Sequence, residues 1–82
     1  MIESVAGCFA AKEAFGKALG TGMTNFVLKD LSLLHSINGK PRLVVDRTAK
    51  RALYSKGADS IFVSLAHEKD YVIAIVILEK YS

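Results

Sequence analysis

The run Gly7-Cys8-Phe9-Ala10-Ala11-Lys12-Glu13-Ala14-Phe15-Gly16-Lys17-Ala18-Leu19-Gly20-Thr21-Gly22 constrains this chain more than any other stretch. It predicts one helix stopped by glycines. Small and apolar residues fill almost every position to Leu19, and Gly20 and Gly22 then permit the left-handed backbone that ends a helix. The helix is expected over residues 2–19, with Ser4 able to cap a slightly later start. Positions four apart share a helix face, so Glu13 and Lys17 sit together, with Ala6, Phe9 and Ala10 beside them. Val5, Cys8, Ala11, Ala14, Phe15, Ala18 and Leu19 occupy the other faces. A helix that is apolar nearly all round is buried on several sides, so a carboxylate and an ammonium on one face need a reason. A Glu→Lys pair at this spacing stabilises a helix by roughly 0.2–0.5 kcal/mol. A functional site is the other reason, and spacing alone leaves both open.

Downstream, residues 24–28 read as a connection that begins extended, and alternation predicts a strand over about 30–35. Ser36-Ile37-Asn38-Gly39-Lys40 is a turn in which Asn-Gly is the hairpin signal. Pro41 fits the start or edge of the next strand, Arg42 to Val45. Asp46 can cap a second helix with Thr48, Ala49, Ala52 and Leu53 as its apolar face and Gly57 at its end. Ser60 to His67 alternates as a strand, with Ile61, Val63, Leu65 and His67 on one face and Phe62, Ser64 and Ala66 on the other. Glu68-Lys69-Asp70 turns the chain, and Tyr71 to Leu78 reads as a strand buried on both faces. The order is α-β-β-α-β-β in one domain over residues 1–82: an α+β fold with the first helix packed on a small antiparallel sheet.

Composition adds bounds. At 82 residues and 51% apolar, the chain suits one small globular core. No apolar run reaches the ~18 residues that span a bilayer. Cys8, the one cysteine, has no internal partner for a disulfide, so the cytoplasm is the expected compartment. The net charge is +3, and Lys40, Arg42, Arg47, Lys50, Arg51 and Lys56 crowd the middle of the chain. They suit either a solvated helix face or an anionic partner. A small basic nucleic-acid-binding domain is a remote alternative; no RNA or DNA motif is present and the aromatics are not interleaved with the basic residues.

Three stretches carry a resemblance to a known family. Phe9-Ala-Ala-Lys12-Glu13-Ala-Phe-Gly-Lys17-Ala-Leu-Gly20-Thr-Gly22 resembles the signature helix of the holo-acyl-carrier-protein synthases, the small phosphopantetheinyl transferases. Asn38-Gly39-Lys40-Pro41 resembles the tetrapeptide that this family carries between two strands. Val63-Ser64-Leu65-Ala66-His67-Glu68-Lys69-Asp70-Tyr71 is similar to its Val-Ser-x-Ser/Thr-His-x-x-x-Tyr/Phe pattern. The matches extend from about Ser4 to Glu79. His35 has no counterpart in the family and reads as an ordinary strand-end residue.

The resemblance implies transfer of 4′-phosphopantetheine from coenzyme A to a serine of acyl carrier protein, with magnesium, in a homotrimer that binds coenzyme A between subunits. Carried over, Glu13 is the metal ligand and assists in deprotonating the serine. Lys17 contacts the transferring phosphate, and His67 binds coenzyme A near its phosphates. Phe9, Gly20, Gly22, Asn38, Gly39, Lys40, Pro41 and Ser64 line the coenzyme path. Neither a membrane nor a nucleic acid is an expected partner. Two departures stand out. The family begins with a Gly-Ile-Asp strand whose aspartate also holds magnesium, and this chain starts after it. The family also has arginine where Cys8 stands here. A coenzyme A-binding, catalytically weak remnant is therefore the alternative to a working enzyme.

Overall fold

The computed structural model describes residues 5–80. The elements are α1 (Val5–Leu19), β1 (Leu31–His35), β2 (Pro41–Val45), α2 (Arg47–Ser55), β3 (Ser60–His67) and β4 (Val72–Glu79), in the order expected. The cap assigned to Ser4 lies outside the described residues. β4 begins one residue later than expected, because the Tyr71 carbonyl closes the preceding turn by accepting the Glu68 N–H at 2.8 Å. The connection after α1 is not extended. Single 3₁₀ turns at Gly22–Thr24 and Leu28–Asp30 bracket it. Local hydrogen bonds favour them: the Thr24 hydroxyl donates to the Thr21 carbonyl at 2.9 Å, and the Asp30 N–H donates to the Val27 carbonyl at 2.9 Å.

The strands form two antiparallel hairpins, β1–β2 and β3–β4, rather than one continuous sheet. Leu33 pairs with Leu43 in the first, and Val63 with Val76 in the second. The first hairpin closes through a three-residue loop, Ile37-Asn38-Gly39. The Ser36 N–H donates to the Lys40 carbonyl at 2.9 Å, the Gly39 N–H donates to the Ser36 carbonyl at 2.8 Å, and Gly39 has φ +84°. A residue in left-handed conformation at the third loop position is what such a loop needs. The Ser36 hydroxyl bonds the Asn38 side chain across it.

The core gathers Ala11, Phe15 and Leu19 of α1, Phe26, Leu31 and Leu33, Leu43, Ala49, Ala52 and Leu53 of α2, Ala58 and Val63. Phe26 meets Phe15 edge-to-face with ring centroids 5.1 Å apart, a geometry that aromatic quadrupoles favour. α1 lies chiefly against β4. That placement corrects the expectation that β4 is buried on both faces. Ala74, Val76 and Leu78 pack toward the core, while Ile73, Ile75 and Ile77 point outward with Phe62 of β3 and stay about half exposed. Strand side chains alternate between faces, and α1 covers only one of them.

α2 is tied at both ends. Its C-terminus is a Schellman motif: the Ala58 N–H reaches the Leu53 carbonyl at 3.2 Å and the Gly57 N–H reaches the Tyr54 carbonyl at 2.9 Å, with Gly57 at φ +88°. Its N-terminus is shared by two aspartates. Asp46 accepts the Arg47 N–H at 2.9 Å, while the Thr48 N–H goes to Asp30 Oδ2 at 3.1 Å. Asp30, 18 residues earlier, therefore does part of the capping expected of Asp46. The Thr48 hydroxyl, expected on the apolar face, donates to the same Oδ2 at 2.6 Å and accepts the Val27 N–H at 2.8 Å. The hydroxyl bond is the largest influence on Asp30 and holds its carboxyl below the ordinary 3.8; burial opposes this, and the Thr48 N–H, Arg47 and Lys29 reinforce it. Arg47 sits at φ +39°, a conformation that L-residues rarely adopt, between these two fixed neighbours.

Candidate functional site

α1 is buried through Ala11, Phe15, Gly16 and Leu19 and open along one stripe, Phe9-Glu13-Lys17, at successive spacings of four. The charged pair therefore stands on the helix's solvent side, and Phe9, 52% exposed, continues the stripe one turn before Glu13. Among the described residues, no ion pair joins Glu13 to Lys17 and neither side chain has a hydrogen-bond partner. The helix-stabilising pair considered from spacing is not formed. A carboxylate and an ammonium thus face solvent one turn apart on a helix fixed by its other faces.

The glycines after α1 shape the end of this stripe. The Gly20 N–H donates to the Lys17 carbonyl at 3.0 Å, and Gly20 and Gly22 have φ +83° and +65°. The chain then folds back across the helix at Gly16. A Cβ built there would lie 2.6 Å from the Gly22 carbonyl oxygen and 2.7 Å from its carbon, closer than side-chain carbons approach backbone. Gly16 therefore seats the glycine turn on the helix. A glycine inside a helix, costing roughly 1 kcal/mol against alanine, is the sequence signal of such a packing reason. Lys56, at the end of α2, belongs in sequence to the basic run in the middle of the chain. Its Nζ comes within 3.7 Å of where a Gly20 Cβ would stand, so a second cation overlooks the turn.

The remaining candidates lie on other elements. Asn38, Gly39, Lys40 and Pro41 form the tip of the first hairpin, where the Lys40 N–H donates to the Ser36 hydroxyl at 3.1 Å. Lys40 and Pro41 also border a cavity of about 520 Å³ between β2 and β3, whose lining includes none of Glu13, Lys17 and His67. His67 is exposed at the end of β3, opposite Val72. Ser64 is half-buried on the other face of the same strand, opposite Ile75. The chain thus brings Phe9, Glu13, Lys17, Gly20 and Gly22 together along one helix and its terminus. The hairpin tip and the β3 residues stand apart on their own elements. His35, half-buried, ends β1 opposite Pro41.

Comparison with known proteins gives this arrangement a context. A profile of the 4′-phosphopantetheinyl transferase superfamily matches residues 2–76. The holo-[acyl-carrier-protein] synthase of Treponema denticola is 51% identical over 76 residues, covering 93% of this chain and 62% of that protein. The synthase of Alkaliphilus metalliredigens is 45% identical over 71 residues, covering 87% of this chain and 58% of that protein. Among solved structures, the Neisseria meningitidis synthase aligns with a TM-score of 0.79 at 36% identity, covering 88% of this chain and 58% of that one. The Helicobacter pylori synthase in complex with coenzyme A aligns with a TM-score of 0.77 at 28% identity, covering 90% and 63%. The chain spans less than two thirds of the length of these relatives. With the profile covering nearly all of its residues, the chain belongs to the 4′-phosphopantetheinyl transferase superfamily, with holo-[acyl-carrier-protein] synthases as its relatives.

Proposed function

We propose that this chain carries the coenzyme A-handling part of a holo-[acyl-carrier-protein] synthase and transfers 4′-phosphopantetheine to a serine of an acyl carrier protein. The observation that carries this reading is the open Phe9-Glu13-Lys17 stripe ending in a glycine turn, in a chain whose relatives bear that activity in their names. In the reaction the serine oxygen forms a bond to the phosphorus that carries pantetheine. The phosphoanhydride bond breaks, adenosine 3′,5′-bisphosphate leaves, and the serine proton passes to a base. Lys17 opposes the charge that gathers on the phosphate oxygens. Glu13, one turn away, takes the proton directly or through a water. Phe9 packs against the coenzyme, His67 binds near its phosphates, and Gly20, Gly22, Asn38 to Pro41 and Ser64 line its path.

Glu13 is also the residue that would hold magnesium. Its carboxylate is exposed, and among the described residues no group of three or more His, Cys, Asp or Glu competes for a metal. One carboxylate plus substrate phosphates is a donor set that magnesium accepts. When bound, the ion neutralises charge on the pyrophosphate.

The candidates occupy separate elements, and the β3–β4 hairpin exposes Phe62, Ile73, Ile75 and Ile77 on one face. Apolar patches of that kind mark association surfaces. Both features support a homotrimer that completes each coenzyme path between copies. No helix among the described residues is long and apolar enough to cross a membrane, and a cytoplasmic location belongs to the same reading. The test follows the mass gain of a carrier protein incubated with coenzyme A, magnesium and this polypeptide. Slow transfer, abolished by Glu13→Ala, is expected. Transfer untouched by that substitution would refute the role of Glu13, and none at all would favour a coenzyme A-binding remnant.

A further inference from the structure

The outer face of α2 carries charge of one sign. Ala49, Ala52 and Leu53 turn to the core, and the opposite stripe, Arg47, Lys50, Arg51 and Tyr54 at spacings of three and four, is exposed. The helix holds no acidic residue, and among the described residues none of its three cations forms an ion pair. This arrangement works against the helix. Arg47 lies in the first turn, at the positive end of the macrodipole, with its backbone at φ +39°. Lys50 and Arg51 follow it by three and four residues, the spacings at which like charges repel across a helix surface. Of the three, Arg47 alone acts on the Asp30 carboxylate. A merely solvated face mixes both signs. Tyr54, 56% exposed, continues the stripe, with the Lys50 ammonium 5.9 Å from its ring centre. Along one flank runs a hollow of about 230 Å³, between Asn25 and the side of α2 formed by Thr48, Arg51, Ala52 and Ser55. The Thr48 hydroxyl is taken by Asp30 and Val27. Arg51, Ser55 and Asn25 bring side-chain donors that have no partner among the described residues. No acidic residue lines the hollow.

We propose that the outer face of α2, with the hollow beside Asn25, is a docking surface for an acidic helix of the protein substrate. The proposal rests on the transfer reading for the identity of that partner, and on α2 alone for the surface. Charge complementarity selects the occupant. Residues 47–54 span about 10 Å of helix, and their spacing matches carboxylates three and four apart on a helix laid alongside. One carboxylate enters the hollow, where Arg51 can hold it through two N–H groups while Ser55 and Asn25 donate to it. A second meets Lys50, and the Tyr54 ring supplies apolar contact of the kind interfaces favour. A nucleic acid fits less well, since a duplex presents phosphates over a far wider surface than three cations on one short helix engage. The far end of α2 gives the docking a purpose. Lys56 Nζ comes within 3.7 Å of where a Gly20 Cβ would stand. A partner seated on α2 therefore reaches the glycine turn that ends the Phe9-Glu13-Lys17 stripe.

The probe is the apo form of an acyl carrier protein, titrated against the 82-residue chain without coenzyme A while amide shifts are followed by NMR. Shifts are expected along residues 47–54 and at Asn25. Arg51→Glu should weaken binding at least tenfold and Lys50→Glu a few-fold. Lys69→Glu, the same change of charge on the β3–β4 turn, should weaken it less than twofold. Both α2 variants replace a like-charge repulsion with Arg47 by an attraction, so their Tm should hold or rise, which separates docking from folding. In the transfer assay Arg51→Glu should raise KM for the carrier protein and leave kcat and KM for coenzyme A as they are. Binding is read without turnover, so a chain that docks the carrier protein through α2 and transfers nothing sustains this proposal while refuting the reaction. Four outcomes would overturn it: no binding of the carrier protein at about 0.1 M salt; Arg51→Glu binding as tightly as the unaltered chain; shifts confined to the face of Ile73, Ile75 and Ile77; or a short DNA duplex displacing the carrier protein from α2 at equal concentration, which makes nucleic acid the occupant.

Discussion

Gly16→Ala tests how tightly the glycine turn is seated on α1. The added Cβ would stand 2.6 Å from the Gly22 oxygen, 2.7 Å from its carbon and 3.2 Å from Met23 Cγ, where ordinary contact begins at 3.4 Å. Met23 can turn its side chain, but the Gly22 atoms are backbone, so turn and helix must separate by about 0.8 Å. Two effects compete. Alanine improves the helix by about 1 kcal/mol, and overpacking against rigid backbone costs about 1–3 kcal/mol. A net loss near 1 kcal/mol is expected, lowering Tm by roughly 4–8 °C in a domain of this size. The displaced segment is Gly20 to Gly22, so the stabilisation conferred by coenzyme A should shrink more than Tm itself. Thermal melts of both proteins, with and without coenzyme A, measure the two effects. A higher Tm in the variant with an undiminished coenzyme A shift would refute the reasoning, because the turn would then be yielding at no cost.

Coenzyme A at millimolar concentration should raise the Tm of the unaltered chain by linkage; Lys17→Ala and His67→Ala should reduce the shift and Lys69→Ala should not, while no shift in any of them would refute coenzyme binding. Asp30 makes stability depend on pH at the acid end. Its folded carboxyl titrates below its ordinary 3.8, so its contribution is complete above that value and disappears as pH falls through the lower folded one. Denaturant melts between pH 5 and about pH 2 should show Asp30→Asn losing less stability on acidification than the unaltered chain, and equal losses would refute the tie to Thr48. Ile75→Lys places a charge in the middle of the open β3–β4 face and should shift the light-scattering mass toward the monomer with the hairpin intact by circular dichroism; an unchanged oligomer would locate the interface elsewhere.

Much of this fold follows from local pattern. The alternation over Ser60 to His67 bounds β3 to the residue, and it already places Ser64 and His67 on opposite faces. Gly57 announces the end of α2, because the Schellman motif needs a left-handed residue there. Four-residue spacing puts Phe9, Glu13 and Lys17 on one stripe. Other features needed the third dimension. The uninterrupted run from Val72 to Leu78 offers no polar alternation, so one buried face cannot be told from two until the covering layer is known. Asp30 caps a helix that starts beyond an entire hairpin, which no local window contains. The solvent side of α1 was hidden for a related reason: Phe9 and Ala10 make it nearly as apolar as the buried side. Gly16 gains its meaning only from the segment crossing over it.

The docking of α1 on β4 has a consequence for how the molecule is made. The helix that leads the described chain takes as its main support the strand that closes it. On a ribosome, the buried side of α1, with Ala11, Phe15 and Leu19, emerges before both hairpins and waits for β4 to follow them. The β1–β2 hairpin and α2, linked by Asp30 and Thr48, can assemble in the meantime from neighbouring segments. Joining distant parts of a chain incurs the loop-closure entropy that slows folding. Seating α1 against β4 is thus expected to be the late step, and until it occurs Glu13 and Lys17 have no fixed bearing toward the rest of the molecule.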